Sequence, residues 1–180
     1  MPRRSILSAA ERASLLLPPD TEDELIRHYA FGETDLSLIR QRRGDANRLG
    51  VAVQLCLLRF PGQGLLPDAS MPMSLLQWIG RQLRIDPSCW PQYAEREETR
   101  REHLLELRAY LGVEPFGLAH YRQAVHATTE LALQTDKGIV LAVSVLATPR
   151  HRHIILPTLA VIARVCAEGI TRANRRIYEA

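Results

Sequence analysis

The side chains best suited to chemistry cluster first at Arg40, Gln41, Arg42 and Arg43, then at Asn47 and Arg48, with Gly44 and Asp45 between them. Arg, Gln and Asn are the residue types whose paired hydrogen-bonding groups match guanine and adenine edges, and Arg also neutralises phosphate. A second set is Arg96, Arg100 and Arg101. A third is Arg150, His151 and Arg152, with His153 beside them and Arg164, Arg172, Asn174, Arg175 and Arg176 downstream. Arg172, Arg175 and Arg176 have i, i+3, i+4 spacing, so at least two share a helical face. That face could follow a phosphate backbone, or it could be a solvated helix end where cations favour the negative dipole.

Catalytic and metal chemistry finds no comparable set. There is no glycine-rich phosphate loop of the G-x-x-x-x-G-K-[ST] or G-x-G-x-x-G kind, and no G-x-S-x-G nucleophile elbow. Asp20, Glu22, Asp23 and Glu24 crowd together, but at a helix start, where acids suit the dipole without catalysis. His151 and His153 form an H-x-H pair, yet Arg150 and Arg152 flank it and would repel a cation. His120 and His126 miss the i, i+4 spacing of a helical zinc clamp. Cys56, Cys89 and Cys166 are odd in number and widely spaced, which argues against a disulfide frame or zinc knuckle; Cys56 and Cys166, in apolar helical patterns, are expected to be buried thiols in a reducing cytoplasm. The expectation is no catalytic residue, no metal ligand and no cofactor.

The chain has 180 residues with 46% hydrophobic and 24% charged residues, an ordinary globular balance. Aromatics at 6% argue against a broad base-stacking surface. No apolar run is long enough for a membrane span. The basic start Met1-Pro2-Arg3-Arg4 lacks the apolar stretch of a signal peptide. Of 23 basic residues only Lys137 is Lys. A GC-rich genome would give the same Arg excess, so position says more than count. Residues 11–35 carry net −5, residues 36–59 net +4, residues 95–136 net −3 and residues 137–180 net +5. Each basic block follows an acidic one, as for surfaces meeting a polyanion.

The elements that must position these residues read as helices throughout. Ser8 to Glu11 is a capping box opening a helix to Leu17, and Thr21 to Glu24 opens another to Ala30. Thr34 is expected to cap a helix to Arg43, and Asp45 one to Phe60 with Leu49, Val53, Cys56, Leu57 and Phe60 inward. Further helices are expected over 72–84, over 94–111 with Leu104, Leu107 and Leu111 inward, and over 116–135 with Leu118, Tyr121, Val125, Thr128 and Ala132 in register. Asp86 to Pro91 reads as an irregular connector. The apolar stretch 139–147 reads as a buried helix ended by Pro149, followed by an exposed basic loop at Arg150–His153 and a last helix from Pro157 to Tyr178. The fold class is all-α. Two small modules, 1–90 and 91–180, are expected to meet near Trp90-Pro91. The helices flanking Phe31-Gly32-Glu33 suggest a helix-turn-helix, although His28 stands where a small residue is usual.

On these grounds DNA binding leads over a helical protein-interaction module built on the acids of 20–24 and the apolar 139–147 segment. An independent nuclease or recombinase is third.

Several stretches carry a family resemblance. They are Ser5-Ile6-Leu7-Ser8-Ala9-Ala10-Glu11-Arg12, Leu36 to Gly44, Asn47-Arg48-Leu49-Gly50 and Gln54 to Gly62. Tyr93-Ala94-Glu95-Arg96, Thr99 to Leu104, Ile154-Ile155-Leu156-Pro157 and Thr171 to Tyr178 continue them. In order and over nearly the whole chain, they resemble the N-terminal region of Tn-three family transposases. The resemblance implies a helical region that recognises the terminal inverted repeats of a transposon, with double-stranded DNA as partner and a homodimer through the full-length enzyme. It implies that the metal-binding catalytic carboxylates lie in a separate C-terminal domain, so this chain is the non-catalytic targeting part, acting in the bacterial cytoplasm at the nucleoid.

Overall fold

A computed structural model describes residues 6–67 and 69–179; the basic Met1–Arg4 segment lies outside them. The described residues form α-helices α1 (Ala9–Leu15), α2 (Glu22–Tyr29), α3 (Glu33–Arg40), α4 (Asp45–Arg59), α5 (Met73–Leu83), α6 (Trp90–Ala94), α7 (Glu97–Leu111), α8 (Leu118–Ala132), α9 (Gly138–His151) and α10 (Leu159–Glu179), with a 3-10 turn at Pro87–Cys89. No strand occurs among the described residues, only an isolated bridge between Glu114 and Ile154. The fold class is all-α.

The chain divides into two compact units, Pro18–Gly112 and the pair of segments through Leu17 and from Val113 onward. The division expected near Trp90-Pro91 thus falls inside a unit. The reason is tertiary: α6 and α7, beyond that point in sequence, pack on α4 before it.

In unit 18–112, α4 is the centre. Every residue from Leu49 to Leu58 is buried, so the helix has no solvent face and α2, α3, α5, α6 and α7 surround it. Gly50 permits one of these contacts. A Cβ there would lie 2.2 Å from the ring of Tyr93, which is fully buried against α4. Polar groups in this core are satisfied across long sequence separations. Gln54 Nε2 donates to Tyr93 Oη at 2.5 Å and to the Arg100 carbonyl at 3.0 Å, and Tyr93 Oη lies 3.1 Å from His103 Nδ1. Tyr29 Oη donates to the Phe60 carbonyl, tying α2 to the end of α4. Gln82 on α5 accepts from Phe31 N–H and donates to the Tyr29 carbonyl, so one side chain satisfies the backbone of the α2–α3 joint. That joint is short, but α2 packs on α4 and α5 while α3 packs on α4. The packing does not build an extensive mutual pair of the helix-turn-helix kind.

Asp35 is the strongest electrostatic anchor. It is 5% exposed, and its carboxylate accepts two bonds from Arg59 at 2.8 and 2.6 Å, one from Tyr110 Oη at 2.7 Å and one from Gly32 N–H at 3.0 Å. Burial raises its pKa, but the bonds from Arg59, Tyr110 and Gly32 outweigh that and hold the carboxyl below the usual range.

In the other unit α8 and α10 lie closest. A Cβ at Gly169 would sit 2.6 Å from Thr128 Cγ2, so glycine sets the spacing. Leu7, Val125, Leu141, Val145, Leu146, Ile162, Val165 and Cys166 are buried together, with Ile6, Leu15 and Leu16 of the N-terminal segment packed on them. Cys56 and Cys166 are buried thiols, as expected, and burial pushes both above the usual thiol range.

Several local expectations are corrected. Gly32, not Thr34, caps α3, because Asp35 reaches back to its N–H. Gly44 at φ 82° precedes α4, and Asp45 is its first residue. Asp86 caps a 3-10 turn that runs directly into α6, where an irregular connector was expected. The helix expected from Ala94 breaks at Arg96, with α7 starting at Glu97. Leu118 is exposed rather than inward. Pro149 lies within α9 instead of ending it, so Arg150 and His151 are helical. A proline in a last turn loses one backbone bond, and Arg152 N–H still closes onto the Thr148 and Pro149 carbonyls.

Two outcomes follow from this packing. Gly50→Ala should destabilise unit 18–112 by about 1–3 kcal/mol in urea unfolding, the reverse of the gain of about 1 kcal/mol for the same change on an exposed helix. Asp35 stabilises fully above its unfolded value of about 3.9, and that contribution is lost as pH falls through its depressed folded value. Asp35→Asn should therefore cost about 3 kcal/mol at pH 7 by leaving Arg59 without its counter-charge. Melts from pH 6 to pH 2 should show a shallower acid limb in the variant.

Candidate nucleic-acid interface

The first constellation lies at the α3–α4 junction of unit 18–112. Arg40 ends α3, Gly44 turns the chain with its positive φ, and α4 starts with unsatisfied N–H groups and the positive end of its dipole. Arg40, Gln41 and Arg43 are exposed there, and their side chains make no hydrogen bond or ion pair with the described residues. Arg42 has a different role. It is 18% exposed and pairs with Glu106 on α7, with one bond from Nη1 to Glu106 Oε1 at 3.1 Å. Its carbonyl accepts from Arg48 Nε at 2.9 Å, and Asn47 Nδ2 donates to the Arg43 carbonyl at 3.0 Å. Arg48 also stands 4.0 Å from Asp45. Arg42, Asn47 and Arg48 thus brace the junction, while Arg40, Gln41 and Arg43 project from it.

The second constellation is brought to the first. Tyr93 is pushed up to about 12, chiefly by burial, with Arg100 and Arg42 both acting in the opposite sense. Gln54 on α4 bonds both the Tyr93 hydroxyl and the Arg100 carbonyl, which ties this stretch to the helix that follows the junction. His103, buried beside it, is lowered by burial and by Arg42. A neutral His103 with its Nδ1 unprotonated accepts the Tyr93 proton and leaves Tyr93 oxygen to accept from Gln54. Arg96 is exposed just before α7, whereas Arg101 pairs with Glu97 one turn earlier.

The third constellation lies in the other unit and divides again. Arg150 and His151 end α9 and Arg152 follows, all exposed. On α10 the last three arginines each have a carboxylate: Arg172 with Glu168, Arg175 with Glu179, and Arg176 with Glu130 of α8. Glu168 is shared, since Tyr121 Oη donates to it at 2.7 Å. These are exposed pairs worth about 0–1 kcal/mol, weak enough for a phosphate to displace them.

Sequence reasoning missed the bracing group. Glu106, Tyr93 and His103 lie far from the arginine run in the chain, and Gln54, though near it, is held by partners that are not. Only the spacing of His103 from Leu107, one helical turn, hinted that it faces inward. Among the described residues no three His, Cys, Asp or Glu side chains are grouped to hold a metal ion. No helix is long and apolar enough to cross a membrane.

Comparison with known proteins matches this architecture to a family. The model of a family described as a domain of unknown function (DUF4158) covers residues 6–169. The transposase for transposon Tn3926 of Escherichia coli is 62% identical over 180 residues. The transposase for Tn501 of Pseudomonas aeruginosa is 57% identical and that for Tn21 of Escherichia coli 59% identical, each over 180 residues. Each comparison covers all of this chain and 18% of the relative, its N-terminal part. The chain belongs to the DUF4158 family and is similar, from end to end, to the N-terminal part of Tn-three family transposases.

Proposed function

We propose that the chain binds double-stranded DNA and recognises the terminal inverted repeats of a transposon, as the non-catalytic N-terminal part of a transposase. One observation carries this reading: at the start of α4 the junction is braced from behind by Arg42, Asn47 and Arg48, while Arg40, Gln41 and Arg43 stand outward with no carboxylate on them. A rigid platform with unspent guanidinium groups and a free helix N-terminus suits phosphate and base edges together.

In this reading Arg40 and the N–H groups of α4 meet phosphate, and Arg43 and Gln41 reach base edges. Arg96 and Arg100, on the same unit, extend the positive surface. Arg150, His151 and Arg152 with Arg172, Arg175 and Arg176 give the other unit a second contact, and two linked contacts raise the effective concentration for each other. Binding needs no cofactor. Metal-dependent strand chemistry, and pairing of two copies, fall to the remainder of a full-length transposase.

A rival reading has a specific observation of its own. Val140 and Val143 are exposed on α9 at the spacing of one helical face, which suits a protein partner. A gel shift on a transposon end against a scrambled duplex separates the two, since a protein-interaction module shifts neither.

Arg43→Ala should lose about 1–3 kcal/mol on the specific end and much less on the scrambled duplex, whereas Arg48→Ala should weaken both and also lower the melting temperature. Arg40→Ala should reduce the slope of log affinity against log salt by about 0.9. The double variant of Arg175 and Arg176 should flatten that slope less per residue, because both groups begin ion-paired. Fluorescence anisotropy across a salt series measures all four.

A further inference from the structure

We propose that the cavity between α8 and α9 is a nucleotide site, with the phosphate on Arg152 and the base against Phe116 and His120. Its volume is about 350 Å³, within the range of small-molecule sites, about 300–1,000 Å³. No carboxylate lines it, although the chain carries 20 acids. Its polar lining is instead cationic or hydrogen-bonding, through Arg152, His120, His126, Gln123 and Thr148.

Three features hold this lining in place. His120 Nδ1 accepts the Gly117 N–H at 3.0 Å, so the neutral ring carries its proton on Nε2 and keeps a donor for a ligand. The Phe116 and His120 rings stand 5.8 Å apart and inclined at 40°, giving an aromatic wall. The backbone at Arg152 is held from the other side. His153 adopts a left-handed conformation at φ 55°, and its carbonyl accepts the Glu114 N–H at 3.0 Å, while Ile155 N–H donates to the Glu114 carbonyl at 2.8 Å. This bridge clamps the end of α9 to the segment that leads into α8. It places Arg152, which has no ion pair with the described residues, at the cavity mouth.

The shape of the lining selects the ligand class. A bare phosphate would leave Val145, Pro149 and Ile154 facing a hydrated ion, at a desolvation cost. An apolar ligand would leave Arg152 and two histidines unused. A nucleotide satisfies both halves: its base lies on an aromatic wall, its edge meets Gln123 or Thr148, and its charge meets Arg152. The site is separate from the α3–α4 junction and does not rest on duplex recognition there.

The test is titration of the full chain with 2′-deoxyadenosine 5′-monophosphate, deoxyadenosine and inorganic phosphate, read on the ring signals of His120 and His126 by NMR. The monophosphate should give a saturable shift, with the nucleoside and inorganic phosphate each at least tenfold weaker. Arg152→Ala should weaken the monophosphate at least tenfold and leave the nucleoside unchanged. Ala127→Trp, at an exposed position on the cavity rim, should abolish both, with helicity checked by circular dichroism. A duplex carrying one unpaired adenine then identifies the source. Tighter binding than to the fully paired duplex, lost in Ala127→Trp, assigns an extruded DNA nucleotide; equal binding assigns a free nucleotide. No saturable shift with the monophosphate, or a shift that survives both variants, overturns the proposal. Neither result bears on Arg43, whose variant reads the duplex contact alone.

Discussion

The carboxylate of Asp35 is the constraint on which unit 18–112 depends. It joins the start of α3, the end of α4 through Arg59 and the end of α7 through Tyr110. With four donors on two oxygens, it has no bonding capacity left for solvent, and none of its partners is a near neighbour in sequence except Gly32. Asp35 and Arg59 each need the other, because either alone would be a charge taken partly out of water. The α3–α4 junction inherits its geometry from this lock. With α3 and α4 held at that point and Arg42 bridged to Glu106 on α7, the short turn between the helices has little freedom.

The basic residues therefore fall into two populations that net charge cannot separate. Arg59 and Arg42 spend their charge on Asp35 and Glu106 and serve the fold. Arg40 and Arg43, in the same basic block, face outward and are unspent. On α10 the division is softer, since exposed ion pairs exchange readily. A phosphate backbone competes for those guanidiniums with carboxylates one turn away. The net +4 of residues 36–59 and +5 of residues 137–180 overstate what is available to a polyanion, but the fraction left over is concentrated at helix ends, where backbone dipoles add to it.

Helical content, most helix positions and the buried cysteines were legible in the sequence, because turn residues and apolar spacing are local signals. The arginine run at 40–48 was legible as a type of chemistry but not as a division of labour. Asn47 and Arg48 look like base readers in sequence, yet their partners are backbone carbonyls of Arg43 and Arg42. Burial of Gln54 was invisible, since its partner Tyr93 lies 39 positions away. Burial on every side of α4 from Leu49 to Leu58 was also missed, because periodicity seeks one inward face and this stretch has none outward. Cap positions slipped by one or two residues where Gly32 and Gly44 took roles expected of Thr34 and Asp45. The division into units depends on α6 and α7 returning to α4, which chain order does not encode.

The N-terminal segment belongs to the later unit. A Cβ on Gly138 would meet the Ile6 carbonyl oxygen at 2.1 Å, so the first described residues sit directly on the start of α9. Synthesis thus delivers the parts out of structural order. Residues 18–112 are contiguous and can fold as soon as they leave the ribosome, at an elongation rate of about 5–20 residues per second. The strip carrying Ile6, Leu7, Leu15 and Leu16 must wait with its apolar side chains uncovered until α8, α9 and α10 have been made. During that interval the nascent chain carries an uncovered apolar strip, which closes only once those later helices are available to it.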